Sequence, residues 1–295
     1  MEINTKKPVK RYIIAFSFFI LYMVLHYFNQ LLAVFGVALI QFLPMLFSPG
    51  NTVHVADYLE TVLNNTEYNA GWVLAVGSVM SLLLFLLIMA LRGRNLIRYC
   101  KLNYAPKAKD VGMGTLLGFS ANFILSLVLA IIMTIPTFAH LFEEYADHIS
   151  ILTSSTIIPS IIGIGILGPI VEEVLFRGMI TVELSELFPL PVALTVQGIL
   201  FGIYHGNPVQ AIYAALLGLA FGYCAYKSDS IYPAIAAHIA MNTTSLIISL
   251  PAVTDLLSQT VITLVYALAS ATAFVFSLIF FVRKRSSREP LSINM

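Results

Sequence analysis

Three sets of polar residues at helical spacing stand out in the second half of an otherwise apolar chain. Glu172 and Glu173 precede Arg177, Phe201 precedes His205, and His238 precedes Asn242. Residues four apart on a helix share a face. Glu173 and Arg177 therefore form a pair, which lowers the cost of burying both. Glu172 is turned by about 100° from Glu173 and has no local cation, so it stays available as a general base. His238 and Asn242 stack one turn apart and can aim two donors at a single oxygen, as an oxyanion hole requires. A carboxylate base, two imidazoles and an amide together suit activation of water and hydrolysis of a peptide bond.

Each set also has a plainer reading. Glu173–Arg177 could be a helix-end salt bridge, His205 a satisfied core histidine, and His238 with Asn242 ordinary interhelical hydrogen bonding. Three such sets on three successive apolar segments favour chemistry, because ionisable groups inside spans are costly and functional by default. No Gly-x-Ser-x-Gly elbow and no His-Glu-x-x-His motif is present, and no pair of aspartates sits at helical depth. A zinc site built from Glu, His and His on different helices stays open. His26, in the first apolar run, has no ionisable neighbour at helical spacing and reads as a packing or interface residue.

The elements that must position these groups are membrane helices. Of 295 residues, 59% are apolar or aromatic and 11% are charged, against about 25% charged in a soluble domain. The expected fold is an all-α, polytopic membrane bundle of about eight transmembrane helices, with spans at 12–47, 72–91, 111–135, 151–180, 192–205, 209–226, 231–250 and 257–282. The first run, after Lys6, Lys7, Lys10 and Arg11, far exceeds the roughly 7–15 residues of a signal-peptide core and is read as a retained span. It could be one long helix or one interrupted at Asn29–Gln30 or Pro44. Segment 192–205 is about 21 Å of helix, too short to cross comfortably. It is expected to end inside the membrane, leaving His205 buried beside a polar cavity.

Charge sets the orientation. Arg92, Arg94, Arg98, Lys101, Lys107 and Lys109 mark one loop, and Arg283, Lys284, Arg285 and Arg288 mark the C-terminus. With the N-terminal cluster they belong in the cytoplasm, and Arg177 and Lys227 are expected toward that side. Segments 49–71 and 137–150 carry Asp57, Glu60, Glu67, Glu143, Glu144 and Asp147 with no Lys or Arg, and are expected as outer loops. The first of them holds a glycosylation-type triplet, Asn64-Asn65-Thr66. A formal charge of +1 gives no general attraction to nucleic acid. Cys100 and Cys224 lack metal-ligand spacing and are expected as reduced thiols. The chain reads as one membrane domain, 1–295, with N-terminal helices of unassigned role in 1–150, the motif-bearing core in 151–250, and the last helix with a basic tail in 251–295.

The motifs Glu172-Glu173…Arg177, Phe201…His205 and His238…Asn242, in that order, resemble those of the CAAX protease and bacteriocin-processing family, also called the Abi family of intramembrane proteases. The resemblance implies a glutamate-dependent endopeptidase without cofactor or metal. Glu172 with His205 would activate water, His238 and Asn242 would steady the oxyanion, and Glu173, Arg177 and Phe201 would support the site. The partners implied are a peptide or protein substrate, reached from the cytoplasm or the bilayer, and membrane lipids. Short loops fit a bacterial plasma membrane. Two other readings stay open beside the zinc protease: a non-catalytic immunity or scaffold protein binding a peptide in the same cavity, and a proton-coupled transporter. The transporter ranks last because the two halves show no repeat symmetry.

Overall fold

The computed structural model describes residues 9–46, 69–153 and 156–284. Among these it is all-helical, in agreement with the sequence. In chain order the helices are α1 (Val9–Leu46), α2 (Ala70–Leu91), α3 (Ala108–Met133), α4 (Ala139–Thr153), α5 (Ile157–Ser185), α6 (Leu190–Tyr204), α7 (Pro208–Ser228), α8 (Tyr232–Ile248), α9 (Pro251–Leu257) and α10 (Thr260–Arg283). A single turn, Leu96–Tyr99, lies between α2 and α3. The triplet Asn64-Asn65-Thr66, Asp57, Glu60, Glu67, Lys6, Lys7, Arg285 and Arg288 lie outside the described residues.

Six of these helices, α1, α2, α3, α5, α7 and α10, are long and apolar enough to cross a membrane. A seventh crossing is available if α8 and α9, bent by 89° at a short break, act as one span. Pro251 opens α9 and cannot continue the ladder of α8. The remaining expected span, α6, has fifteen residues and is the short one.

Two sequence expectations give way. The fourth run does not start at 151. Residues 139–153 form the separate helix α4, so 137–150 is not a plain loop, and Phe142 on α4 is buried. Thr156 is extended and Pro159 stands in the first turn of the next helix, a placement proline favours. The polar run Thr153-Ser154-Ser155-Thr156 is the local sequence signal for a break here. The first run, by contrast, is one helix of 38 residues. Its candidate interruption at Asn29 is a packing contact instead, the buried amide donating to Ser81 Oγ at 3.2 Å.

Helices close on one another through small residues, as expected where lipid removes the hydrophobic drive between them. A Cβ at Gly114 or Gly118 of α3 would stand 2.2 Å from the Pro233 carbonyl oxygen and 1.8 Å from that of Ala237, both on α8. These glycines let α8 lie directly on α3, and so fix the depth of His238. The core around the motifs holds Met89, Leu175, Phe176, Met179, Phe201 and Phe221, all buried. The outer faces of α1 and α10 expose Phe28, Phe35, Leu264 and Phe276, as lipid-facing surface does.

Contacts gather the basic residues at one end of the bundle. Tyr12 meets Phe188 at 5.6 Å between ring centroids, and Arg92 Nη1 donates to Glu183 Oε1 at 2.6 Å. Lys101 pairs with Asp229 at 2.5 Å, and Lys227 Nζ donates to the Lys284 carbonyl at 2.7 Å. Arg177 aside, every Lys and Arg among the described residues lies in or beside these helix ends. Arg177, six residues before Glu183 on α5, is enclosed by the bundle, its side chain 1% exposed.

Both cysteines are free and buried. Cys100, in the loop between α2 and α3, has its thiol pushed up to about 12 by burial. The thiolate is the reactive form, so the folded protein is expected to resist maleimide at neutral pH and to react on denaturation. Mass-spectrometric mapping of the modified residue checks this; rapid native labelling at Cys100 would contradict the packing.

Candidate active site

The twin glutamates sit in a helix that is not regular. On either side of them α5 widens into π-helical turns, at Ile161–Leu167 and Val174–Ile180. The Thr181 N–H reaches the Phe176 carbonyl five residues back, and the Thr181 hydroxyl donates to the same oxygen at 2.6 Å. Such turns are rare and recur at functional sites. Their effect here is to re-aim the side chains between them without ending the helix.

Glu173 is fully buried and Arg177 nearly so. Arg177 Nη1 donates to Glu173 Oε1 at 2.8 Å, the pairing expected from their spacing. The same oxygen accepts a bond from His238 Nδ1 at 2.9 Å. A carboxylate can only accept, so Nδ1 carries the proton. The other ring nitrogen, Nε2, then faces Glu172 Oε2 at 3.8 Å. His238 thus stands between the two carboxylates, hydrogen-bonded to Glu173 and beside Glu172, whose neighbour comes from α8.

His205 follows the last residue of α6. Its Nδ1 lies 2.7 Å from the Phe201 carbonyl oxygen. That oxygen also can only accept, which leaves the lone pair on Nε2 in the neutral ring. The helix stops here because Gly206 takes φ +72°, a conformation glycine adopts freely. Asn207 then caps α7, its Oδ1 accepting from the N–H groups of Val209 and Gln210 at 3.0 and 3.1 Å. The expected end of a short helix at His205 is present, with the imidazole half-buried rather than fully enclosed.

Phe201 holds the three clusters together. Its ring meets those of His205 at 4.7 Å and His238 at 5.7 Å, and the Arg177 guanidinium lies 4.3 Å from its centroid. Glu172, Glu173, Arg177, Phe201, His205 and His238 therefore form one constellation. Asn242 is nearby but aimed elsewhere: its Nδ2 donates to the Ile164 carbonyl at 3.0 Å. The sequence allowed His238 and Asn242 to point at one oxygen; in the structure they hold different partners. An amide nitrogen has two protons, so Asn242 keeps one for another acceptor.

Some residues of the site were not singled out from sequence. Gln197, fully buried one turn before Phe201, donates to the Gly218 carbonyl at 2.7 Å. Arg177 Nη2 donates to the same oxygen at 3.3 Å, so Gln197 anchors the carbonyl that receives the guanidinium. A polar residue four before Phe201 inside an apolar run was the available signal. His26 is buried, bonds Ser81 Oγ through Nδ1 at 2.7 Å and stacks on Tyr204 at 5.5 Å. Its packing role is as read from the sequence, and it ties α1 to the residue beside His205. Among the described residues, no three His, Cys, Asp or Glu side chains gather closely enough to hold a metal ion.

The segment that carries all three motifs, residues 154–244, matches the family model of the type II CAAX prenyl endopeptidase Rce1-like proteins. This stretch is similar to that family. Over 94 residues the chain is 32% identical to a protein of Bacillus subtilis (strain 168) named "Putative membrane peptidase YdiL". That similarity covers 32% of this chain and 38% of the relative's length. No solved structure matches the chain. The resemblance read from the motifs is thus supported independently, and the chain is an integral, multi-pass membrane protein.

Proposed function

We propose that this protein is an intramembrane endopeptidase that uses a glutamate-activated water. The observation that carries the reading is the junction of Glu172, Glu173, His205 and His238 around Phe201, built from α5, α6 and α8 within the Rce1-like segment. Glu172 is 19% exposed at its side chain while Glu173 is sealed. Glu172 is therefore the carboxylate that water can reach. With the Nε2 lone pair of His205 it takes the proton of the attacking water, and the oxygen adds to the peptide carbonyl. The free amide proton of Asn242, with His238 Nε2 when protonated, stabilises the oxyanion. Collapse of the intermediate expels the amine, which receives the proton held by Glu172 or His205. Glu173 and Arg177 keep His238 in place.

The basic end of the bundle belongs in the cytoplasm by the excess of Lys and Arg there. Ten residues separate Glu173 from Glu183, so the site lies roughly 15 Å inside that face. A cytoplasmic tail, or a peptide arriving sideways from lipid, fits this depth. Neither a prenyl group nor a particular sequence is assigned to the substrate.

The test compares membrane peptide termini in cells expressing wild type or Glu172→Gln at equal abundance. New termini that depend on Glu172 establish proteolysis and name its targets. Identical termini, with any cellular effect intact in the variant, would move the reading to a peptide-binding immunity or scaffold protein.

A further inference from the structure

We infer that the basic end of the bundle carries a binding site for the headgroup of an anionic phospholipid, between the start of α3 and the end of α10. A cavity of about 490 Å³ opens there, in the size range of small-ligand sites. Four cations line it, Lys107, Lys109, Arg283 and Lys284, against one carboxylate, Asp110. Asp110 is buried and pairs with Lys284. Among the described residues, Lys107, Lys109 and Arg283 form no ion pair, so the cavity keeps an excess of positive charge.

Three further features fit an anion. Lys109 and Lys284 hold their ammonium groups 5.1 and 5.8 Å from the centroid of one ring, Phe280, which fixes both over the cavity floor. Lys107 caps α3 without a side-chain acceptor, and the one acidic residue of that first turn, Asp110, is engaged by Lys284. The opposite hazard, the negative end of α10, is neutralised from α7: Lys227 Nζ donates to the carbonyls of Val282 and Lys284 at 3.4 and 2.7 Å.

Inorganic phosphate and a lipid phosphate share this chemistry. The remaining wall decides for the lipid. Phe276 and Ile279 line the cavity and are exposed on the outer face of α10, so the charged chamber runs directly onto lipid-facing surface. A phospholipid would use both parts, with its phosphate among the cations and its acyl chains along Phe276 and Ile279. Basic pockets between helices on the cytoplasmic side recognise headgroups in this way.

The test uses the full-length protein in nanodiscs containing phosphatidylglycerol and phosphatidylcholine, released for native mass spectrometry. The triple variant K107Q/K109Q/R283Q is compared with K10Q/R11Q/R98Q, which removes equal charge elsewhere on the same face. Size-exclusion profile and thermal unfolding confirm that both are folded. Wild type and the control should retain phosphatidylglycerol over phosphatidylcholine, and the pocket variant should lose that retention by about tenfold. Excess inorganic phosphate should not displace the lipid. Unchanged retention in the pocket variant, equal loss in both variants, or ready displacement by phosphate would overturn the site. None of these readouts depends on proteolysis.

Discussion

Arg177→Met should cost about 3–5 kcal/mol of stability, the usual effect of stranding one member of a buried ion pair. The Glu173 carboxylate would stay fully buried with its cation removed, and its second oxygen, Oε2, already lacks a partner among the described residues. The double variant Glu173→Gln/Arg177→Met removes both charges and should recover most of that loss, since a buried pair contributes little beyond its own desolvation. Proteolysis should not recover with it. His238 Nδ1 donates to Glu173 Oε1, and an amide in place of an orienting carboxylate allows the wrong tautomer. Thermal unfolding of the single and double variants in detergent, read beside the membrane-termini assay, separates the two effects. A single variant as stable as wild type would show that Arg177 does not compensate Glu173.

His205→Ala should act in the opposite way, on rate with the fold nearly untouched. The ring is half-buried at a helix end and makes one hydrogen bond to backbone, worth about 1 kcal/mol. Loss of its Nε2 removes a proton acceptor, and cleavage should fall by about a hundred- to ten-thousand-fold. The readout is the abundance of Glu172-dependent termini, with unfolding temperature as the control. A chelator should leave the wild-type rate unchanged. Activity that is lost on chelation and restored by zinc would redirect the reading to a metal held by Glu172, His205 and His238. Wild-type cleavage in the His205→Ala variant would remove this residue from the mechanism.

How much of this was legible in the sequence depends on the range of each contact. Glu173–Arg177 was readable because both partners lie on one helix, and i, i+4 geometry survives even the widened turns of α5. The end of α6 at His205 was readable from Gly206, Asn207 and Pro208, whose backbone preferences are local. The partner of His238 was not. Spacing pointed it and Asn242 at a shared oxygen, and only the packing of α8 on α3 through Gly114 and Gly118 turns it to the glutamates. Gln197 escaped notice for the same reason, since its role depends on a carbonyl of α7. The break before α5 was signalled by Thr153, Ser154, Ser155 and Thr156, a polar cluster that a span-length hydropathy window averages away. The π turns were hidden because their glycines, Gly163, Gly165 and Gly178, weaken a helix without specifying how its turns widen.

The pairing of Glu173 with Arg177 on a single helix also bears on how the chain is made. His238 lies 65 residues further along the chain than Glu173, so it is not yet synthesised when α5 leaves the ribosome. A lone carboxylate or guanidinium at mid-helix would disfavour passage of that segment into the bilayer. Four residues apart, the two can neutralise each other within the nascent helix before any other part of the fold exists. The ion pair thus serves as a loading form, in which Glu173 and Arg177 enter the membrane neutralised and later admit His238 to the same carboxylate oxygen.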